Sequence, residues 1–405
     1  MSRDNGAQMG DPNSYDVIVL GAGPAGTSAA IRARRAGLSV LVIDKATFPR
    51  PKLCGAGITP RSQQALRDIF DAEMPAGITL SSTKMGFRWD GEHLADFDQP
   101  YPFKYTFRED FDHWLVDLAR SAGAEIREGT RVAEIRDREN RLRLDGGEAV
   151  GFKVLIGADG VASPVARHLF GKAFDTDTIG FAYEAEVPAT NADDTRMSID
   201  FGIVRWGYGW NFPKATSQTI GVVSIRGLDQ DLRARMERYL AHEGVDPASV
   251  KIKGAHIPFG DFKEKPGRGN ILLAGDAAGF VDAITGEGIA LAMESGAHAA
   301  DAAAQVIGEG RPERADRAYF PRVKPIQADL ANVRRLRVIA YGSRTRAMFK
   351  EKLATSTRLR DALFEVVSGK ATYAEIERRM ARHAMVRMAT KLSSWPTLFK
   401  RSAGR

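Results

Sequence analysis

Hydrophobic and polar positions along the chain change period several times, and each change marks an element. Val17-Ile-Val-Leu20 is an apolar run of the kind a strand buried on both faces needs, and it opens directly onto Gly21-Ala-Gly-Pro-Ala-Gly26. From Gly26 to Ala36 the period turns helical, with Arg32, Arg34 and Arg35 in the outer half. After Gly37 a second buried run, Ser39-Val-Leu-Val-Ile43, ends in Asp44. Phe48-Pro-Arg-Pro-Lys-Leu-Cys-Gly-Ala-Gly57 is punctuated by proline and glycine and reads as loop. Alternation between Ser82 and Thr106 (Met85, Phe87, Trp89; Ala95, Phe97) predicts short strands. Residues 110–119 predict a helix with Arg108 just ahead of it, and 125–126 and 131–135 predict strands again. Two more buried runs end in Asp159-Gly160 and in Gly275-Asp276. Tyr208, Trp210 and Phe212 alternate with Gly209 and Asn211, so strand geometry puts three aromatic rings on one face.

The first of these transitions carries chemistry. In Gly21-x-Gly23-x-x-Gly26 the first glycine permits a tight turn, the second lets bare backbone approach a pyrophosphate, and the third lets the helix lie close on its strand. Pro24 and Ala25 open that helix, whose positive end would receive phosphates. Asp44 follows at the spacing of a carboxylate that holds ribose hydroxyls, so the unit reads as a dinucleotide site. Asp159 and Asp276 also emerge at C-terminal strand ends, where open parallel sheets bind ligands. Either aspartate alone also fits an ordinary helix cap or turn. Gly286 and Gly288, just before a helix beginning near Ile289, would let backbone amides approach a ring or phosphate.

Composition narrows the class. A chain of 405 residues with 43% hydrophobic residues can bury a large core in two or three units. The first 14 residues lack the apolar centre of a secretory signal, and the longest apolar stretch, Ile271 to Met293, is broken by Asp276, Asp282 and Glu287. A cytoplasmic protein without a membrane span is therefore expected. A single cysteine, Cys54, excludes an internal disulfide, and neither it nor His113, His168, His256 and His298 has metal-ligand spacing, so no metal is expected. The net charge of +7 is uneven: residues 321–405 hold 20 Lys and Arg against 6 Asp and Glu, a net +14, which leaves −7 on the rest. Met385, Met388 and Leu392 at helical spacing, then Trp395, Leu398 and Phe399 beside Lys391, Lys400 and Arg401, have the composition of an interfacial helix as well as of a closing helix packed on the body. No nucleic-acid motif accompanies this basic end, and no nucleic-acid partner is expected.

The glycine turn, Asp159-Gly160 and Gly275-Asp276, in this order, resemble the three FAD fingerprints of the para-hydroxybenzoate hydroxylase class of flavoproteins. The resemblance implies an α/β fold: a Rossmann-like FAD-binding domain (14–80, 106–168 and 265–330), a discontinuous antiparallel-sheet substrate domain (81–105 and 169–264) and a basic helical C-terminal region (331–405). It implies non-covalent FAD held by Gly21, Gly23, Pro24, Ala25, Gly26, Asp44, Lys45, Cys54, Gly55, Arg108, Val132, Asp159, Gly160, Asp276, Gly286, Gly288 and Ile289. Asp44 would take the adenosine ribose, Arg108 the cofactor near its phosphates and Asp276 the ribityl chain and pyrophosphate. Asp159 would support Gly160 and the fold.

Two further stretches resemble one family within that class. Lys52-Leu-Cys54-Gly55-Ala-Gly57 is similar to the cysteine-glycine loop of geranylgeranyl reductases, and Tyr208-Gly-Trp210-Asn-Phe212-Pro213 to their Tyr-x-Trp-x-Phe-Pro motif. The Gly-x-Gly that follows in that family reads Gly221-Val-Val223 here. The family implies an FAD-dependent reductase that saturates C=C bonds of a polyprenyl chain carried on a diphosphate, a pigment or a lipid. Tyr208, Trp210 and Phe212 would line the chain's path, and Cys54 would stand by the flavin as proton donor or positioning group. The electron donor would be NAD(P)H or reduced ferredoxin; no second glycine fingerprint provides a resident nicotinamide site. A poorly soluble substrate gives the basic end a use in peripheral contact with the inner membrane. The alternative on the same frame is an FAD-dependent monooxygenase acting as a hydroxylase.

Overall fold

The computed structural model describes residues 13–380 and 382, apart from 190, 192 and 230. Its first half runs β1 (Ser14–Leu20), α1 (Pro24–Arg35), β2 (Val40–Ile43), β3 (Gly57–Ile58), α2 (Pro60–Ala65), β4 (Leu80–Trp89), β5 (Glu92–Tyr105), α3 (Arg108–Ser121), β6 (Glu125–Arg127), β7 (Val132–Arg136), β8 (Arg141–Leu144), β9 (Ala149–Gly157) and α4 (Pro164–Phe170). The second half adds β10 (Gly180–Pro188), β11 (Met197–Asp200), β12 (Gly207–Pro213), β13 (Ser217–Ile225), α5 (Leu232–His242), β14 (Lys253–Ile257), β15 (Gly267–Arg268), β16 (Ile271–Leu273), α6 (Ile289–Gly308), α7 (Ala315–Tyr341), α8 (Arg346–Thr355) and α9 (Thr357–Val367).

Two sheets organise these elements. The first has the order β15-β16-β9-β1-β2-β6, with β8 joined to β9 and β7 to β8; β16, β9, β1, β2 and β6 run parallel. Helices cover such a sheet on both faces, which is why Val17, Ile18 and Val19 and all of Val40–Ile43 are buried without alternation. The parallel direction brings Gly21, Asp44, Asp159 and Gly275-Asp276 out at one edge. Helix α1 lies against α6 at very close range: a Cβ on Gly296 would stand 2.1 Å from Ala25 O.

The second sheet has the order β14-β10-β13-β12-β11-β4-β5-β3 and is antiparallel except for the β11–β4 pair. β4 and β5 are 10 and 14 residues long, longer than the alternation predicts. They are joined through Asp90 and Gly91, both at positive φ, and the buried Asp200 carboxylate accepts the backbone N–H of each. β3 belongs here too, pairing with β5, although it lies in the 14–80 stretch expected on the nucleotide side. One face of this sheet (Ala185, Val187, Ile220, Val222) packs on Leu232, Met236, Tyr239 and Leu240 of α5. The other face carries Tyr208, Trp210 and Val223.

The C-terminal region is helical. α7, α8 and α9 return over both sheets, with Tyr319 and Tyr341 buried and Tyr341 Oη donating to Ile284 O at 2.7 Å. Tyr373 is buried as well, its N–H donating to Asp329 Oδ1 at 2.9 Å. The apolar and basic positions expected to form an interfacial helix, Met385 to Arg401, lie outside the described residues. Among the described residues no helix is long and apolar enough to cross a membrane.

Candidate active site

One cavity of about 880 Å3 is lined by the C-terminal edge of the first sheet, the aromatic face of the second and helix α9. At the glycine turn, Gly21 takes φ +99°, and a Cβ there would stand 2.3 Å from Ala158 O. A Cβ on Gly26 would stand 1.8 Å from Gly21 O. Only a glycine at 26 therefore lets α1 close onto the turn. Gly23 is different: it lines the cavity with nothing nearer than Arg50 Nη2, at 3.7 Å from the position of its absent Cβ. No side chain caps α1, so its first-turn amides are free for an anion.

Pro24, Ala25, Asp44, Lys45, Val132, Asp159, Gly160, Asp276, Gly286, Gly288 and Ile289 all line the same cavity. Asp44 is buried and braces the turn, Oδ2 accepting Ala22 N–H at 2.8 Å and Oδ1 accepting Ala46 N–H at 2.9 Å. Each oxygen keeps a lone pair for a ligand hydroxyl. Asp159 Oδ2 accepts Val165 N–H at 3.1 Å, and burial pushes its carboxyl up to about 6. Asp276 pairs with Lys52 at 3.4 Å. Gly288 precedes the first turn of α6, so the positive end of a second helix also borders the cavity.

The cysteine loop and the aromatic strand touch each other. A Cβ on Gly55 would stand 2.8 Å from Phe212 Cδ2 and 2.9 Å from Trp210 Nε1, so only bare backbone fits between the loop and the rings. Tyr208, Trp210 and Phe212 follow one another at centroid distances of 6.0 and 6.4 Å, and all three line the cavity. Trp210 Nε1 is buried without a hydrogen-bond partner among the described residues. Arg108 is the first residue of α3 and does not precede it, and it is buried beneath the loop. Its Nε and Nη2 donate to Asp112 at 2.9 and 2.8 Å. Burial works against the Arg108 charge, but Asp112 and a hydrogen bond with the Cys54 side chain outweigh it and raise its pKa. Half-buried Cys54 therefore stands between a guanidinium and Ala56 N–H, which donates to Sγ at 3.4 Å.

Several lining residues escape a reading of the sequence. Arg50, 3.4 Å from Asp112, overhangs the glycine turn; the only local signal is its place in a basic Pro-Arg-Pro-Lys loop leaving the nucleotide strand. Glu184 of β10 faces the cavity, and its Oε1 accepts Cys54 N–H at 3.1 Å. Leu363, Phe364 and Val367 of α9 close the apolar side, Phe364 standing edge-on to Phe97 at 5.3 Å. Their helical spacing was readable, but their destination was not.

Open backbone at Gly23, an uncapped helix, a braced Asp44 and a cavity shared with the aromatic strand fit a dinucleotide cofactor. Residues 14–203 match the family described as an FAD binding domain. The protein is an FAD-dependent oxidoreductase in class. It is 34% identical over 322 residues to the menaquinone reductase of Mycobacterium tuberculosis (72% of this chain, 77% of the relative). It is 33% identical over 320 residues to the geranylgeranyl diphosphate reductase of Rhodobacter capsulatus (74% and 77%). The fold is that of a geranylgeranyl bacteriochlorophyll reductase-like protein from Thermoplasma acidophilum, with a TM-score of 0.69 at 24% identity over 88% of this chain and 92% of that one. A flavin-dependent brominase shares it as well, with a TM-score of 0.68 at 22% identity over 92% and 99%. The chain belongs to the geranylgeranyl reductase family.

Proposed function

We propose that the protein uses FAD to saturate C=C bonds in a polyprenyl chain. The observation that carries this reading is the contact between the Cys54-Gly55 loop and the Trp210–Phe212 wall inside an apolar cavity, which sets an aromatic surface where the reactive end of the cofactor is expected. Bound FAD, once reduced, supplies hydride; the chain's own residues must hold the alkene, exclude water and manage a proton. The wall suits an isoprenoid because each buried methylene contributes about 0.8 kcal/mol. Val223, buried between Ala182 and Tyr208 where the family pattern has glycine, narrows this part of the cavity and favours a slim chain. The relatives' names, menaquinone and geranylgeranyl diphosphate, have a prenyl chain in common and differ in the head group. Tyr208, Trp210, Phe212 and Cys54 are proposed to line the reacting segment. NAD(P)H or reduced ferredoxin is proposed as the electron donor.

The test in cells is mass spectrometry of lipids, quinones and pigments with and without the gene. Loss of the gene should return a prenylated compound to a form lighter by two hydrogens per double bond, and an unchanged profile would count against the reading. We further propose that the basic C-terminal end takes the substrate from an anionic lipid surface, each Lys or Arg near such a surface contributing about 1 kcal/mol. Full-length protein should co-sediment with anionic but not zwitterionic vesicles, and salt should weaken this binding. A form ending at Met380, which keeps the buried Tyr373, should lose it; equal binding by both forms would remove the tail from the mechanism.

A further inference from the structure

An isolated alkene takes hydride at one carbon and a proton at the other, and a cavity that excludes water needs its own proton source. Strand register shows which side chain stands where one is needed. On the cavity face of the second sheet, Glu184 lies opposite Gly221, and Gly221 lies opposite Trp210. A Cβ on Gly221 would stand 2.2 Å from Trp210 Cζ2, so the indole lies across this glycine toward Glu184. The Glu184 carboxyl lines the cavity and is fixed at one oxygen only: Oε1 accepts Cys54 N–H at 3.1 Å, while Oε2 is buried with no hydrogen-bond partner among the described residues.

The charged and titratable groups around it act on that carboxyl in both directions. Lys214 is 3.0 Å from Glu186 and is committed to it. Lys253 faces Glu184 across the β10–β14 pair. Arg108 is engaged by Asp112, and His256, on β14, lines the same cavity. Burial pushes the Glu184 carboxyl up to about 7, and the nearby Glu186 charge adds to this; the Cys54 amide, Lys214 and Lys253 pull the other way. Cys54 Sγ, by contrast, accepts the Ala56 N–H at 3.4 Å.

Resting on the reductase reading, we propose that Glu184 is the catalytic general acid that protonates the alkene, and that Cys54 is a positioning residue whose backbone orients it. Bound reduced FAD would supply a hydride to one carbon and lose two electrons, the Glu184 carboxyl gives a proton to the other carbon, and the C=C becomes CH–CH. The carboxylate then regains a proton from water when the product leaves. Because the acid form is the active one, turnover is full below pH 7 and falls as pH rises through about 7.

The test uses FAD-loaded, dithionite-reduced enzyme and geranylgeranyl diphosphate under anaerobic conditions, reading flavin reoxidation and product mass. Glu184→Gln keeps an acceptor for Cys54 N–H but has no proton to give; it should lower the reoxidation rate by about 100- to 10,000-fold with little change in KM, and should lose the pH profile. Glu184→Asp should restore part of the rate. Independently of activity, infrared titration of the oxidised holoenzyme should show a protonated-carboxyl band that disappears with a midpoint near 7 and is missing from Glu184→Gln. Should Glu184→Gln fold poorly, the wild-type titration and Glu184→Asp still decide. An active wild type with an equally active Glu184→Gln, or with the same titrating band in both, overturns the proposal and leaves the reductase reading standing. A wild type that never transfers hydrogen to the chain overturns both.

Discussion

Purified with valine at position 23, the protein should be colourless, while the wild type is yellow with non-covalent FAD. Gly23 has an ordinary φ of −79° and no protein atom within 3.4 Å of its absent Cβ, so the fold tolerates a side chain there. What a side chain fills is the space in which a pyrophosphate approaches the free amides of α1. Losing two or three such hydrogen bonds to an anion, at about 1.5–3 kcal/mol each, should weaken FAD binding at least 100-fold. The check is flavin content by absorbance together with thermal unfolding of the cofactor-free proteins. Cofactor-free Gly23→Val should unfold within a few degrees of cofactor-free wild type. Gly26→Val should not, because its Cβ would stand 1.8 Å from Gly21 O and must distort the turn itself. A yellow Gly23→Val protein would mean that the cofactor does not lie on this turn.

Gly221→Ala should keep FAD and lose chain reduction. The added Cβ would stand 2.2 Å from Trp210 Cζ2, and the indole cannot retreat because its Nε1 edge already rests on Gly55. It would be driven into the cavity, at about 1–3 kcal/mol in stability, the usual range for overpacking. A displacement of this kind beside the reacting carbons should slow turnover on the order of 100-fold. Gly221 is on the second sheet and does not line the cavity, so flavin content should be unchanged. Near-ultraviolet circular dichroism of the indole and turnover on a polyprenyl diphosphate are the measurements. Unchanged turnover with a shifted Trp210 signal would show that the aromatic strand is no part of the substrate path.

Much of this arrangement was legible along the chain because it is local. A buried run followed by glycines at fixed spacing specifies β1, the turn and α1 within 22 residues, and Asp44, Asp159 and Asp276 mark where strands end. The aromatic alternation at 208–212 likewise predicted one face correctly, with Gly209 packing on Tyr239 of α5 on the other side. Glu184 was not legible. In Tyr-Glu-Ala-Glu it resembles an edge strand's solvent face, and only pairing with β13 on one side and β14 on the other turns it inward. Arg50 and Phe364 were hidden for a related reason, since each reaches the cavity through contacts with residues far away in sequence, Asp112 and Phe97. Arg108, which the family resemblance places near the cofactor's phosphates, lines the cavity. What the sequence does not show is its bidentate pairing with Asp112 four residues on, with Cys54 beside it.

The measurement that bears most directly on the central claim is a single anaerobic turnover. Enzyme reduced with dithionite and mixed with geranylgeranyl diphosphate should reoxidise its flavin at a rate set by the substrate, and the product should gain two hydrogens for each flavin oxidised. Reoxidation that occurs only when oxygen is admitted, with a product heavier by one oxygen atom, would contradict the reductase account and identify a monooxygenase on the same frame.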